Sequence, residues 1–286
     1  MHPILFSIGS VNVFSFSVFL IISWLVFSFT FWFMMKNYGI SENKVFDLSF
    51  YGTLLAFVFS RLFYVLANVE LFSDNLLKII TLWIVPGMSK YGAVFGFILF
   101  LFLYSKSKKI RLGYIADSLA FALPASFTVG SIGSLLDGTQ VGKVMNLSWG
   151  VNYNGYTELR HPVQVYDVFM LLLIAIFLSY LWKKAIRKKW PYGMIGIWFF
   201  FLYGVGDFAM EFFKENAIFL QGLTPNQWIS LAVVSESLGI LYIKFGGRQK
   251  FAILSRSARI NITKIGKGAY EKITKRILRR NNQNSK

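Results

Sequence analysis

Cysteine is absent from all 286 residues. Disulfides, thiolate catalysis and cysteine-ligated metals are therefore excluded. Histidine is scarce: His2 and His161 are the only two and lie far apart, so no zinc site and no metal cofactor is expected. Charge is scarce too, at 15% of residues, where soluble domains carry about 25%. Acidic residues number 13 against 30 Lys and Arg. No segment repeats, so an inverted-repeat transporter has no support.

What fills the chain is apolar and aromatic. Apolar residues make up 55% and aromatics 19%, with 31 Phe, 14 Tyr and 8 Trp. That composition predicts an all-α polytopic membrane protein with aromatic belts at its interfaces. A formal charge of +17 raises nucleic acid as a partner. The placement of the charges argues against it. Residues 246–286 hold 12 Lys and Arg against one acid, Glu271, and most of the remainder falls in short clusters between hydrophobic runs. This is the positive-inside pattern of a membrane protein, and no nucleic-acid motif accompanies it. No nucleic-acid partner is expected.

A span needs about 20 mostly apolar residues. Seven candidates are read: Val11–Met35, Phe46–Ala67, Tyr91–Tyr104 (extended by Leu76–Val85 in one reading), Tyr114–Leu136, Gln164–Trp182, Tyr192–Phe213 and Trp228–Lys244. The start Met1-His2-Pro3 has no basic n-region and its apolar run is long, so the first span reads as a retained helix and not a cleaved signal peptide. Cations gather after spans one, three and five, at Lys36 and Lys44, at Lys106 to Arg111, and at Lys183 to Lys189. The expected topology puts the N-terminus outside and the C-terminus in the cytoplasm. Two long outward loops, Asn68–Lys90 and Asp137–Arg160, would form a small outer-face head. Residues 1–245 form the transmembrane domain in this reading. Residues 246–286 form a basic tail, with Ile262, Ile265, Ala269, Ile273 and Ile277 at helical spacing, suited to the anionic inner leaflet. A solvated basic tail is the plainer alternative.

Ionisable residues inside spans are expensive, at about 2.5–3.5 kcal/mol each on insertion scales, so each is paired or functional. They are Arg61, Asp117, Asp207, Glu211 and Glu236. Arg61 suits a phosphate as a planar fork, or snorkels to headgroups, or pairs with an internal acid. Asp207 and Glu211 are four apart and share a helix face. They act on each other or are separately paired, for instance with Arg61 or Lys214. Ser131, Ser134 and Asp137 make a polar stripe at the end of span four, followed by Gly142-Lys143. The densest polar stretch is Arg160-His161-Pro162-Val163-Gln164-Val165-Tyr166-Asp167, at the mouth of the apolar run Phe169 to Trp182. It carries an imidazole, a cation, an amide, a phenol and a carboxylate, the groups that acyl and phosphoryl chemistry use. Alone, a histidine before proline is as well explained by a loop hydrogen bond.

Together these segments resemble the prolipoprotein diacylglyceryl transferases of bacteria. Arg160 through Asp167 is similar to that family's Arg-His-Pro-x-Gln-x-Tyr-acid motif. The order of the other segments agrees: His2 to Gly9, Arg61 to Leu66, Gly87-Met88-Ser89-Lys90-Tyr91-Gly92, Gly130 through Lys143, and Tyr203-Gly204 through Lys214. Departures fall on family motif positions. Phe16 stands for a Tyr, Tyr91 for a His, Ser131 for an Arg, Ser134 and Asp137 for Asn, Thr139 for a Glu, Lys143 for an Arg and Asp207 for an Arg. Gly133, Gly138, Gly142, Gln164, Tyr166 and Glu211 are kept.

The resemblance implies a multi-pass protein of the bacterial plasma membrane. It would move diacylglycerol from phosphatidylglycerol to a lipobox cysteine thiol of a prolipoprotein, with glycerol phosphate leaving and no cofactor. Its partners would be phosphatidylglycerol, prolipoprotein signal peptides and membrane lipid. A base, phosphate-holding donors and a greasy lateral groove are needed. His161 is the expected base. Arg160, Lys143, Arg61, Asp137, Gln164, Tyr166, Tyr91 and Glu211 are the expected substrate-binding residues. His161, Lys143 and Arg160 are expected to converge on one cavity. A non-catalytic relative that binds lipid or signal peptides is the alternative, because two arginine positions are lost.

Overall fold

The computed structural model describes residues 2–9 and 11–244. It divides into a first compact unit, Met1–Ser237, and a second that begins at Leu238. The described residues form seven α-helices: α1 Ser15–Lys36, α2 Glu42–Ala67, α3 Lys90–Ser107, α4 Leu112–Asp137, α5 Val163–Arg187, α6 Met194–Met210 and α7 Pro225–Lys244. They match the seven expected runs. Among the described residues five are long and apolar enough to cross a bilayer: α1, α2, α4, α5, and α6 with the 3₁₀ turn that follows it. The chain is a multi-pass membrane protein. Helices α3 and α7 do not reach that measure. The first is only 18 residues long with lysine near both ends, and the second is interrupted by the polar residues Ser230, Ser235, Glu236 and Ser237. The basic segment 246–286, read as an amphipathic helix, lies outside the described residues.

Two local expectations are corrected. Beside the helices, the described residues form two short antiparallel hairpins, β1 (Ile4–Ile8) with β2 (Val11–Phe14), and β3 (Val151–Asn152) with β4 (Leu159–Arg160). Val11–Phe14, read as the start of span one, belongs to β2. Gly9 takes a left-handed φ of +61° in the tight turn, and the backbone then runs extended until Ser15 donates to the Pro3 carbonyl. Leu76–Val85 does not lengthen α3. It forms a 3₁₀ turn (Leu76–Ile79) and further turns, because Pro86 and an extended Ser89 interrupt any helix before Lys90.

Packing follows membrane rules. Helices α1, α2, α4 and α5 are apolar nearly all round, and large side chains such as Leu20, Phe29, Leu173 and Ile176 face outward. Lipid is as apolar as leucine, so helices associate through close van der Waals fit. Helix α4 is the central member, packed on α1, α5 and α6, while α2 and α3 form a pair that joins through α1. In that pair Gly92 and Gly96 sit one turn apart against α2. A Cβ at Gly92 would lie 2.3 Å from the Phe59 carbonyl oxygen, and one at Gly96 would lie 2.7 Å from that of Leu55. Only hydrogen side chains allow this approach. Two buried clusters fill the interior. One is built on Phe27, Phe31, Met35, Leu48 and Leu119, the other on Ile174, Leu178, Ile195 and Phe199.

Asp117, one of the costly intramembrane charges, is a helix cap supplied from a neighbour. Its carboxylate accepts from the backbone N–H groups of Gly193 (2.7 Å) and Gly196 (2.9 Å) at the start of α6, and from the Tyr38 hydroxyl (3.3 Å). The helix N-terminus offers unpaired donors and partial positive charge, so a buried carboxylate there needs no separate cation.

The alternation of helix directions brings the ends of α2, α4 and α6 together with the starts of α3, α5 and α7. Side chains stitch this end closed: Ser60 to the Ser89 carbonyl, Gln164 to Ser134, Tyr91 to Asn226 and Lys214 to Asp167. The polar residues of interest collect here.

Candidate active site

Four short chain segments line up above the helix ends as a miniature antiparallel sheet. Residues 213–215 pair with 141–143 through Lys143 N–H to Phe213 O (2.8 Å) and Glu215 N–H to Val141 O (3.0 Å). Residues 143–145 pair in turn with 159–161, through His161 N–H to Lys143 O (3.0 Å) and Met145 N–H to Leu159 O (2.9 Å). The β3–β4 ladder forms the far edge. Gly142 is required in the middle. A Cβ there would lie 2.1 Å from the carbonyl oxygen of His161.

Val144 opposes Arg160 in this register, which sets Lys143 opposite His161. Side chains directly opposite one another share a face, and successive residues alternate. The backbone pairing thus sets Lys143 directly across from His161. Lys143 is exposed, and no ion pair among the described residues involves it. His161 is half-buried. Its ring packs edge-on against Phe213 (5.2 Å between centroids), and its Nδ1 lies 3.2 Å from the Tyr166 hydroxyl. The Trp149 indole N–H donates to the same hydroxyl at 3.2 Å. Helix α5 explains the meeting of imidazole and phenol: Pro162 turns the chain out of β4, and Tyr166 then arrives one turn into the helix.

Arg160 is engaged elsewhere. It is 6% exposed. Its Nη1 bonds the Glu215 carboxylate and the Gly142 carbonyl (3.0 Å), and its guanidinium stacks 4.0 Å above the Tyr156 ring. Arg61, on α2, is likewise buried. It donates to three carbonyls, Ile79 (2.8 Å), Gly87 (3.0 Å) and Lys78 (2.7 Å), and reaches no internal acid among the described residues. Neither guanidinium joins His161. The structure brings Tyr166 to His161 and pairs the Lys143 backbone with that of His161, while the two arginines bond the loops around them.

Gln164 is buried beneath the sheet. Its amide nitrogen donates to Gln140 O (2.6 Å) and its oxygen accepts from the Tyr153 hydroxyl (2.7 Å). Burial raises the Tyr153 phenol above its usual range, which keeps it protonated and donating. Asp137 closes α4 and is half-buried.

A second polar group lies behind Phe213. Lys214 sits between Asp167 (3.3 Å) and Asp207 (4.0 Å), and Asp207 also accepts from Ser230 (2.7 Å). Glu211 is 2% exposed. One of its oxygens accepts from Asn216 (2.7 Å), Thr224 (2.8 Å) and Asn226 (2.9 Å). Asn226 in turn accepts from Tyr91 (2.8 Å). Asp207 and Glu211 are thus held separately, as one of the two sequence readings has it. Sequence reasoning missed Trp149, Tyr153, Thr224 and Asn226. All four lie in loops or at a helix start, where no hydrophobic period marks a residue. The pairing of Tyr153 with Gln164 has only a trace in sequence, as a phenol alternating with Val151 beside a strand.

The family model for prolipoprotein diacylglyceryl transferase matches residues 3–243. The chain belongs to that family. Curated relatives carry the name phosphatidylglycerol–prolipoprotein diacylglyceryl transferase. One from Pseudoalteromonas atlantica is 31% identical over 245 residues, covering 84% of this chain and 82% of the relative. One from Wolbachia pipientis of Culex pipiens is 30% identical over 228 residues, covering 75% and 82%. Another, from Wolbachia pipientis wMel, is 29% identical over 267 residues, covering 86% and 97%. The match takes in the entire polar end of the bundle, from the first hairpin to the start of α7.

Proposed function

We propose that this protein transfers diacylglycerol from phosphatidylglycerol to the cysteine thiol of a prolipoprotein signal peptide, at the outer face of the bacterial plasma membrane. The observation that carries this reading is the family match across the polar end of the bundle, where one imidazole stands opposite an exposed lysine and touches a phenol. His161 serves as the base. With a proton on Nδ1 donated to the Tyr166 oxygen, Nε2 is free to take the thiol proton. The thiolate sulfur then attacks the glyceryl carbon that bears the phosphate ester. A C–S bond forms, the C–O bond breaks, and glycerol phosphate leaves with the bonding electrons.

Charge grows on the departing phosphate, so donors placed there lower the barrier. Lys143 supplies the cation across from His161. Tyr166 accepts from both Trp149 and His161 in this state, which leaves its own O–H to donate. Gln164, Asp137, Glu211 and Tyr91 shape the walls around this site, and Arg160 and Arg61 act through the loops they hold. Helices α3 and α7 complete a seven-span bundle, N-terminus outside, in this reading.

The engagement of Arg160 and Arg61 favours a second reading, a binding protein for lipid or signal peptides, because both guanidiniums are then occupied by bonds within the protein. One experiment separates the two. Purified protein in phosphatidylglycerol bilayers is given a lipobox peptide, and mass spectrometry follows the thioether product. The wild-type chain is expected to form it. His161→Ala is expected to lower the rate by roughly 10²–10⁴, the usual contribution of a general base. Saturable peptide binding without any product would refute the transferase reading and leave the binding protein.

A further inference from the structure

The loop between α2 and α3, residues 68–89, presents an apolar surface to the outside and is rigidly built. Ile80 is 75% exposed and Trp83 80%, and Leu76, Leu77 and Ile84 are exposed beside them. A floppy segment would not hold such side chains in place, but this loop is pinned from within. Arg61 donates to the carbonyls of Lys78, Ile79 and Gly87, and its guanidinium lies 5.1 Å from the centre of the buried Phe72 ring. Asn75 caps the 3₁₀ turn by accepting from Leu77 N–H (2.9 Å), and Ser60 and Ser89 bond each other's backbone. Lys78 is neutralised by Asp74 one turn away. The result is a fixed finger with an apolar, uncharged tip.

We propose that this finger is a membrane anchor. Leu76, Leu77, Ile80, Trp83 and Ile84 sit in the boundary between headgroups and acyl chains, in the leaflet that faces the candidate active site. The occupant is lipid because the surface is continuous with lipid-facing helix. The loop leaves the end of the bilayer-crossing α2, whose last turns expose Leu62 and Leu66, and returns into α3, which exposes Val94, Phe95 and Ile98. Its depth is therefore that of the bilayer edge, where tryptophan is favoured. A soluble surface rarely leaves so much contiguous apolar area uncovered. The anchor also has a reach: Gly87 to Ser89 leads straight into Tyr91, which bonds Asn226 and through it Glu211. Arg61 thus sets the depth of the finger and the position of Tyr91 together. This inference is independent of the transferase reading. It needs only that α2 crosses a bilayer.

The cysteine-free chain permits a direct depth measurement. Ile80→Cys, Trp83→Cys and Ile84→Cys, with Asn154→Cys on the polar hairpin as the aqueous reference, are each spin-labelled in the full-length protein. The proteins are reconstituted in phosphatidylglycerol–phosphatidylethanolamine vesicles. Collisions with oxygen, which partitions into lipid, are compared with collisions with a water-soluble nickel chelate. The expected result is oxygen dominance at 80, 83 and 84 and nickel dominance at 154. Nickel dominance at all four positions would place the finger in water and overturn the proposal. Shielding from both agents at 80, 83 and 84 would show that protein covers the tip, and would overturn it too. The three labelled positions are on the surface, so folding is not at stake. Arg61→Gln is then expected to shift the label at 83 toward the nickel-accessible state. No shift would remove Arg61 from its role as depth-setter.

Discussion

Replacing Arg160 asks whether the cation beside His161 handles substrate or holds the sheet. Its side chain is almost wholly buried, while its main partner, Glu215, is 53% exposed. Removing one member of a fully buried pair costs about 3–5 kcal/mol, and an exposed pair is worth only about 0.2–1 kcal/mol. This pair lies between those limits. Its exposed carboxylate can be rehydrated, so the loss is closer to that of one charged hydrogen bond, about 1.5–3 kcal/mol. The Gly142 carbonyl loses a donor in the same variant, and the Tyr156 ring loses its stacked guanidinium. Arg160→Ala is therefore expected to lower the thermal midpoint of the purified protein by several degrees.

The loss should also loosen the alignment of residues 141–145 with 159–161, so kcat falls while KM for phosphatidylglycerol changes little. Glu215→Gln is the decisive companion. If Arg160 is a positioning residue, the Glu215 variant lowers stability and kcat in the same direction as Arg160→Ala, by a smaller amount. If Arg160 instead clamps phosphate, releasing it from Glu215 would leave stability nearly unchanged and strengthen lipid binding. An Arg160→Ala protein with an unchanged midpoint and a raised KM would refute the structural assignment. Melting curves followed by light scattering, together with initial rates at varied lipid fraction, give both quantities from one preparation.

Two further outcomes follow from groups away from the chemistry. Asp117→Ala removes the acceptor for the first amides of α6, and is expected to cost about 0.5–2 kcal/mol, the range for loss of a helix cap. Asp117→Asn should keep part of this, and a midpoint unchanged in both variants would refute the cap. Tyr153 offers a test by pH. Its raised phenol contributes stability that is complete below the ordinary tyrosine range and is lost as pH climbs through the elevated value. Tyr153→Phe should therefore flatten part of the alkaline fall in stability and delete one late-titrating phenol from the ultraviolet titration. An identical alkaline profile would refute it.

Much of the fold is legible in sequence because a bilayer leaves few choices. All seven helices fall where apolar runs of helical length lie, since unpaired backbone cannot face lipid. What the runs do not carry is how they begin. Val11–Phe14 is as apolar as the span it precedes, yet the left-handed Gly9 and the Pro3 carbonyl commit it to a strand. Leu76–Val85 is apolar for a different reason, one that hydropathy does not distinguish from burial. At the site, His161 with Tyr166 was legible because only five residues separate them, with Pro162 and the start of α5 between. Lys143 opposite His161 was not derivable from spacing, since the pairing depends on Gly142 and on the register of an 18-residue excursion. The fates of Arg61 and Arg160 were hidden too: Arg61 bonds three backbone carbonyls, which every residue has, and Arg160 bonds the Gly142 carbonyl and the distant Glu215.

The manner in which this chain neutralises its costly charges bears on where chemistry can occur. Asp117 is met by helix amides, Arg61 by three carbonyls, Glu211 by two amides and a hydroxyl, and Asp207 by a hydroxyl and Lys214. Dipoles serve as counterions in most of these, which satisfies a charge without leaving an opposing charge free to act on anything else. A phosphate arriving at this end of the bundle would have to break those bonds to engage Arg61, Arg160 or Lys214, at a cost of about 1.5–3 kcal/mol for each charged hydrogen bond. Lys143 demands no such exchange. It is exposed, without an ion-pair partner among the described residues, and fixed by the sheet register opposite the imidazole. Among the cations at this end of the bundle, Lys143 is thus one that a phosphate could engage without first breaking an ion pair of the described residues.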